Sequence, residues 1–177
     1  ILLLAPPGAE CSDDACCSLL RTGQSGRQRL LSVTVGQSAA KRREFWETNV
    51  DSKHLARTTV ISMGETGDSS ATASADGTES TDQLTVRSIA DPTDTLGLGI
   101  ELTWWLSQWT GQDDRVVCCV YTVSELLDQA GYARTMKLLL RLFEWTKRLD
   151  ATVHYHLNPE AHQDDVIELL RPLFDAV

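Results

Sequence analysis

Three histidines near the C-terminus are spaced so that they could share a ligand. His154 and His156 lie two residues apart in the stretch 151–156, and on a strand they point to one face. His162 follows six residues later, beside Asp164 and Asp165. Two imidazoles and a carboxylate can hold zinc. The spacing matches no established zinc signature, so structural hydrogen bonds at the strand's end are the plainer reading, and no cofactor is expected. The five cysteines are Cys11, Cys16, Cys17, Cys118 and Cys119. Cys11 falls at a predicted helix N-terminus, which lowers a thiol pKa. Glu10, Asp13 and Asp14 oppose a thiolate there, and no histidine partner can be assigned to it from sequence. Adjacent cysteines cannot easily bridge each other, on a strand they point to opposite faces, and both pairs read as small buried apolar residues. An odd cysteine count without a secretory leader indicates reduced thiols in the cytoplasm.

The elements that must position these groups alternate along the chain. Apolar or β-branched runs predict strands over 1–5, 29–35, 58–62 (within 54–63), 83–89, 115–121 and 151–156. Helices are predicted over 13–21, 38–48, 94–110, 123–129 and 132–149, and a last one is opened by Asn158-Pro159. Ser12 is the expected cap of the first helix, with Asp13 and Asp14 in its first turn. The 132–149 helix is expected to bury Met136, Leu139, Leu140 and Phe143. Strands alternating with helices imply one α/β domain over 1–177, with a mainly parallel sheet and helices on both faces. Residues 64–82 interrupt the pattern. This acidic, Ser/Thr-rich stretch has no large apolar side chain and reads as a flexible loop.

The formal net charge is −9 and the pI near 4.8. Twelve Arg against four Lys, and fifteen Asp against ten Glu, match a chain adapted to high salt, where ions screen self-repulsion. An ordinary acidic cytosolic protein is the alternative. Such a surface repels phosphate backbones, which excludes nucleic acid as a first-choice partner. No apolar run approaches the roughly 18 residues that span a membrane. The run Lys41-Arg42-Arg43, close to Glu44 and Glu47, reads as a solvated helix face.

Ligands in parallel α/β folds bind at the carboxyl ends of strands. The first such end reads Ala5-Pro6-Pro7-Gly8-Ala9-Glu10-Cys11-Ser12. An apolar strand, a Pro-Pro-Gly turn and a helix resemble the opening of RecA/KaiC-type ATPases. That resemblance implies a three-layer P-loop-NTPase-like fold. Gly8 and Ser12 fit the phosphate loop. Glu10 stands where its second glycine belongs and Cys11 where its lysine belongs. Glu10 adds charge and bulk where backbone must approach phosphate, and Cys11 supplies no positive charge. At the second catalytic strand, Tyr121 stands at the place of the Mg²⁺-holding acid, and Glu125 is a substitute only from a predicted helix.

The element order, the acidic linker and the ending His-x-His then Asn158-Pro-Glu-Ala-His162 resemble a family of uncharacterised haloarchaeal RecA/KaiC-like domains with degenerate Walker motifs. The resemblance implies a cytoplasmic pseudo-ATPase that works by protein contacts or self-association, as a regulatory or signalling component. The alternative is a nucleotide-dependent enzyme in which arginines at strand ends replace the missing lysine. A thiol or metal sensor is the third reading. Trp105 and Trp109 are assigned to the core, which leaves Trp104 either half-covered by a loop or exposed as an interface anchor.

Overall fold

The structure, a computed structural model, describes residues 1–21, 27–64, 78–80 and 84–177. Its strands are β1 (Leu2–Leu4), β2 (Gln28–Val35), β3 (Leu55–Met63), β4 (Thr78–Ser80), β5 (Leu84–Ile89), β6 (Arg115–Tyr121) and β7 (Thr152–Leu157). Its helices are α1 (Glu10–Arg21), α2 (Ala39–Asn49), α3 (Thr95–Gln108), α4 (Val123–Ala130), α5 (Tyr132–Arg148) and α6 (Asp164–Leu170). One sheet runs β1-β7-β6-β2-β3-β5-β4, parallel throughout except for β4. The central strands β2, β3 and β6 are buried on both faces, which is why they read as near-continuous apolar runs.

The helices form two outer layers of unequal size. Beneath α1 and α2, one core joins Cys16, Leu20, Trp46 and Val50 to Leu30, Val117 and Cys119 of the sheet. The larger core lies on the opposite face. There Leu98, Leu102, Trp105 and Leu106 of α3, Leu126 of α4, Leu139 of α5 and Ile167 of α6 meet Leu31, Val33, Ile61, Cys118 and Tyr155. Each fully buried Leu stabilises such a core by about 1.5–3 kcal/mol. The outer edge of β1 is closed by the C-terminal tail, where the Leu2 amide donates to the Ala176 carbonyl at 2.8 Å.

Several sequence expectations need correction. The first helix begins at Glu10, and Ser12 lies inside it, buried, rather than capping it. Asn158-Pro159 opens only a single 3-10 turn, Pro159–Ala161, and the helix proper starts at Asp164. The inner face of α5 is Thr135, Leu138, Leu139, Leu142 and Thr146, whereas Leu140 is 51% exposed. The buried stripe is centred on Thr135, Leu138, Leu139 and Leu142, and the helical period turns Leu140 away from it. Within the expected loop at 64–82, Thr78–Ser80 pairs antiparallel with β5. Gly64 closes β3 with φ +71°, and a Cβ there would meet Pro92 at 2.6 Å. The remainder of that stretch lies outside the described residues.

Candidate functional site

The β1–α1 turn is the position at which a phosphate loop is expected. Gly8 has φ +75°, and the Ala9 carbonyl accepts from the amides of Ser12 at 2.9 Å and Asp13 at 3.4 Å. Glu10 and Asp13 form the acidic first turn of α1, where they complement the helix dipole. Glu10 and Cys11 are both exposed. Tyr121, at the end of β6, faces this turn, and its hydroxyl takes a hydrogen bond from the Gly8 backbone. Burial raises the Tyr121 pKa despite that bond, so the phenol stays neutral.

A cleft of about 310 Å³ opens beside the turn. It lies between the ends of β2 and β6, where the chain order in the sheet reverses direction. Gly36, Gln37, Ser38 and Lys41 line one side, and Tyr121, Thr122 and Glu125 the other. Ser38 caps α2 by accepting the Lys41 amide at 3.2 Å, and Thr122 caps α4 by accepting the Glu125 amide at 3.1 Å. Gly36, at φ +69°, has the Glu125 carboxylate 3.3 Å from the position of a Cβ. The only charged side chains among these seven are Lys41 and Glu125.

A second constellation is sealed between α1, α2 and the sheet. On α1, Ser12, Cys16 and Leu20 recur at four-residue spacing and face inward. On β6, Cys119 points to the same side as Val117, while Cys118 enters the opposite core. On β7, His154 pairs in register with Cys119, and His156 lies two residues on. The Cys16 Sγ is thereby 2.9 Å from His154 Nε2, 3.1 Å from His156 Nε2 and 3.6 Å from Cys119 Sγ. Cys119 Sγ and His156 Nε2 are 3.6 Å apart. Ser12 Oγ meets His156 Nδ1 at 2.8 Å, and His154 Nδ1 is buried without a partner.

Arg42 completes the group from α2. It is 3% exposed, so this member of the basic run is not on a solvated face. The inner face of α2 is Ala39, Arg42 and Trp46, at helical spacing. One guanidinium nitrogen donates to Cys16 Sγ at 3.3 Å and to Cys119 Sγ at 3.0 Å. Its carbon stands 4.5, 4.7 and 4.8 Å from the ring centroids of Phe45, Trp46 and Tyr121. Burial works against the Arg42 charge, and the sulfurs more than offset it. Burial likewise disfavours a Cys119 thiolate. The Cys16 thiol, Arg42 and the two histidines outweigh burial and hold Cys119 well below the usual thiol range. Burial, then Cys119, pushes Cys16 upward, so Cys119 is the more acidic thiol of the pair and the one closer to the guanidinium.

Of the residues singled out in the sequence, His154 and His156 thus join two cysteines, and His162 is not part of their group. Cys16 and Cys119 are buried, but as members of a polar network rather than as apolar filler. Trp104 is 50% exposed on α3, edge-on to the buried Trp105. Among the described residues no helix is long and apolar enough to cross a membrane.

A protein of Pyrococcus horikoshii OT3, solved in a structural study of Project ID PH0250, shares the fold with a TM-score of 0.54. The match covers 97% of this chain and 77% of that one at 13% identity, which supports common architecture alone. No curated protein sequence matches the chain. A family model matches residues 1–177 from end to end, and on that ground the chain belongs to DUF7504, a family of unknown function.

Proposed function

We propose that this chain is a non-catalytic RecA/KaiC-like domain, a pseudo-ATPase of a salt-adapted cytoplasm, that acts through protein contacts in a regulatory or signalling role. The observation that carries the reading is the pairing of Gly8 with Tyr121. A phosphate loop needs its backbone amides free and a lysine beside them. Here the Gly8 amide is turned to a phenol, Cys11 stands at the lysine's place, and Glu10 and Asp13 put negative charge at the helix start. Phosphate at that point would meet like charge and an occupied donor.

Contact surface is available on α3. Leu96, Ile100 and Trp104 are 62%, 61% and 50% exposed at four-residue spacing, so they form one apolar stripe. Trp is a favoured anchor in such surfaces. The −9 net charge favours a protein surface, including a second copy at high salt, over nucleic acid. Sedimentation velocity over a range of concentrations in molar KCl tests the reading. The wild type should associate, and Trp104→Ala should weaken that association. A monomer at every concentration, together with Mg²⁺-dependent phosphate release from ATP, would contradict it.

A second reading keeps a small ligand at the cleft between β2 and β6. The position at a reversal of strand order and the presence of Lys41 and the Ser38-capped helix favour it. Mg²⁺-dependent hydrolysis that survives Cys11→Ala and disappears in Lys41→Ala would establish that reading in place of the first.

A further inference from the structure

Four side chains of metal-ligating type converge from three elements that are far apart in the chain. Cys16 comes from α1, Cys119 from β6, and His154 and His156 from β7. All four are buried, and their ligand atoms lie within 4.8 Å of one another. In a sheet face packed under a helix, these positions would ordinarily carry Val, Leu or Ile. Four polar groups there destabilise the core unless a common partner satisfies them. Zn–S bonds of about 2.3 Å and Zn–N bonds of about 2.0–2.1 Å, set tetrahedrally, separate ligand atoms by roughly 3.3–3.8 Å. Two of the observed separations are 3.6 Å, and the two from Cys16 to the imidazoles are 2.9 and 3.1 Å. The separations span this spacing on both sides, from 2.9 Å up to a bound of 4.8 Å, so side-chain adjustments on the order of an ångström would bring the four atoms to it.

We propose that Cys16, Cys119, His154 and His156 form a closed structural site for a tetrahedral soft-ligand metal ion, zinc(II) first. The set of two sulfurs and two imidazole nitrogens is the one that selects zinc among divalent ions. Both histidines present Nε2 to the centre. Ser12 holds His156 at Nδ1, as outer partners of metal-bound imidazoles do. Arg42 serves as the outer partner of the sulfurs, its N–H groups bonding both. All four positions for a tetrahedral ion are filled by protein and none opens to solvent, so the site binds and clamps rather than catalyses. It ties α1 to β6 and β7 and so fixes the turn at Gly8. This inference stands independently of the reading of the ATPase-like turn.

The test uses the full chain purified without chelators. Elemental analysis should give one zinc per chain. Exchange with cobalt(II) should give the visible d–d bands of a tetrahedral ion and the near-ultraviolet thiolate-to-cobalt charge-transfer band. Cys119→Ser should lose the metal, and Cys11→Ser, at an exposed cysteine outside the group, should keep it. Ser12→Ala should weaken cobalt binding about tenfold or more while keeping the tetrahedral spectrum. If Cys119→Ser does not fold, the wild-type spectrum still decides. Folded wild-type protein that holds no zinc and shows no thiolate-to-cobalt band overturns the proposal and leaves a metal-free thiolate–guanidinium network. Zinc retained in folded Cys119→Ser at the wild-type level also overturns it.

Discussion

The Arg42 guanidinium stands 3.0 Å from Cys119 Sγ inside the layer formed by α1, α2 and the sheet. Ion pairs in protein interiors are ordinarily made with carboxylates. Here the guanidinium faces a thiol whose burial is outweighed by its neighbours in favour of the anion, and three aromatic rings surround the cation. Removing one partner of a buried charge pair costs about 3–5 kcal/mol, because the other is left uncompensated. Arg42→Ala should therefore lower the unfolding free energy by about that amount in urea titration. Arg42→Lys should recover less than half of the loss, since an ammonium lacks the planar, weakly hydrated face that packs against the Phe45, Trp46 and Tyr121 rings. A change within about 0.5 kcal/mol for Arg42→Ala, the range of ordinary surface substitutions, would show that the pair does not form.

Ser12 supports the same layer from α1. Its hydroxyl is the partner of His156 Nδ1, and both groups are buried. Ser12→Ala should destabilise the fold by about 1–3 kcal/mol through an unsatisfied imidazole nitrogen. As a capping residue, which the sequence suggested, it would instead act through helix α1 alone. Hydrogen exchange separates the two. Loss of protection at β7 accompanies the His156 role, and fraying confined to residues 10–13 would indicate the capping role.

The register of α5 gives a direct comparison between neighbours. Leu139 is fully buried and Leu140 is 51% exposed. Leu139→Ala should cost about 2–5 kcal/mol. Leu140→Ala should stay within about 0.5 kcal/mol. Thermal melts of the two variants measure the difference, and equal losses would mean that the helix is rotated from the position described.

The parallel strands were legible because each carried its own signal, whereas β4 lies in a stretch without one. Arg115–Tyr121 is read from sequence without error, being a short apolar run between a charged turn and a cap. The buried Trp105 and Trp109 also follow from local spacing. Arg42 was hidden by the basic residues on either side of it. Its position four residues before Trp46 was the signal that it shares the buried face. The cysteine–histidine group is not local at all. Cys16 and Cys119 are 103 residues apart, and only the register of β6 against β7 sets Cys119 beside His154. Periodicity assigns residues to faces. It does not say which strands are neighbours, and the neighbours decide which polar residues meet.

Calorimetric titration of the folded chain with Mg-ATP and Mg-ADP in molar KCl addresses the central claim most directly. With the Gly8 amide given to Tyr121 and acids at the start of α1, neither nucleotide should produce saturable heat. Binding in the micromolar range would contradict the account and would direct attention to Lys41 and Ser38 as the phosphate ligands.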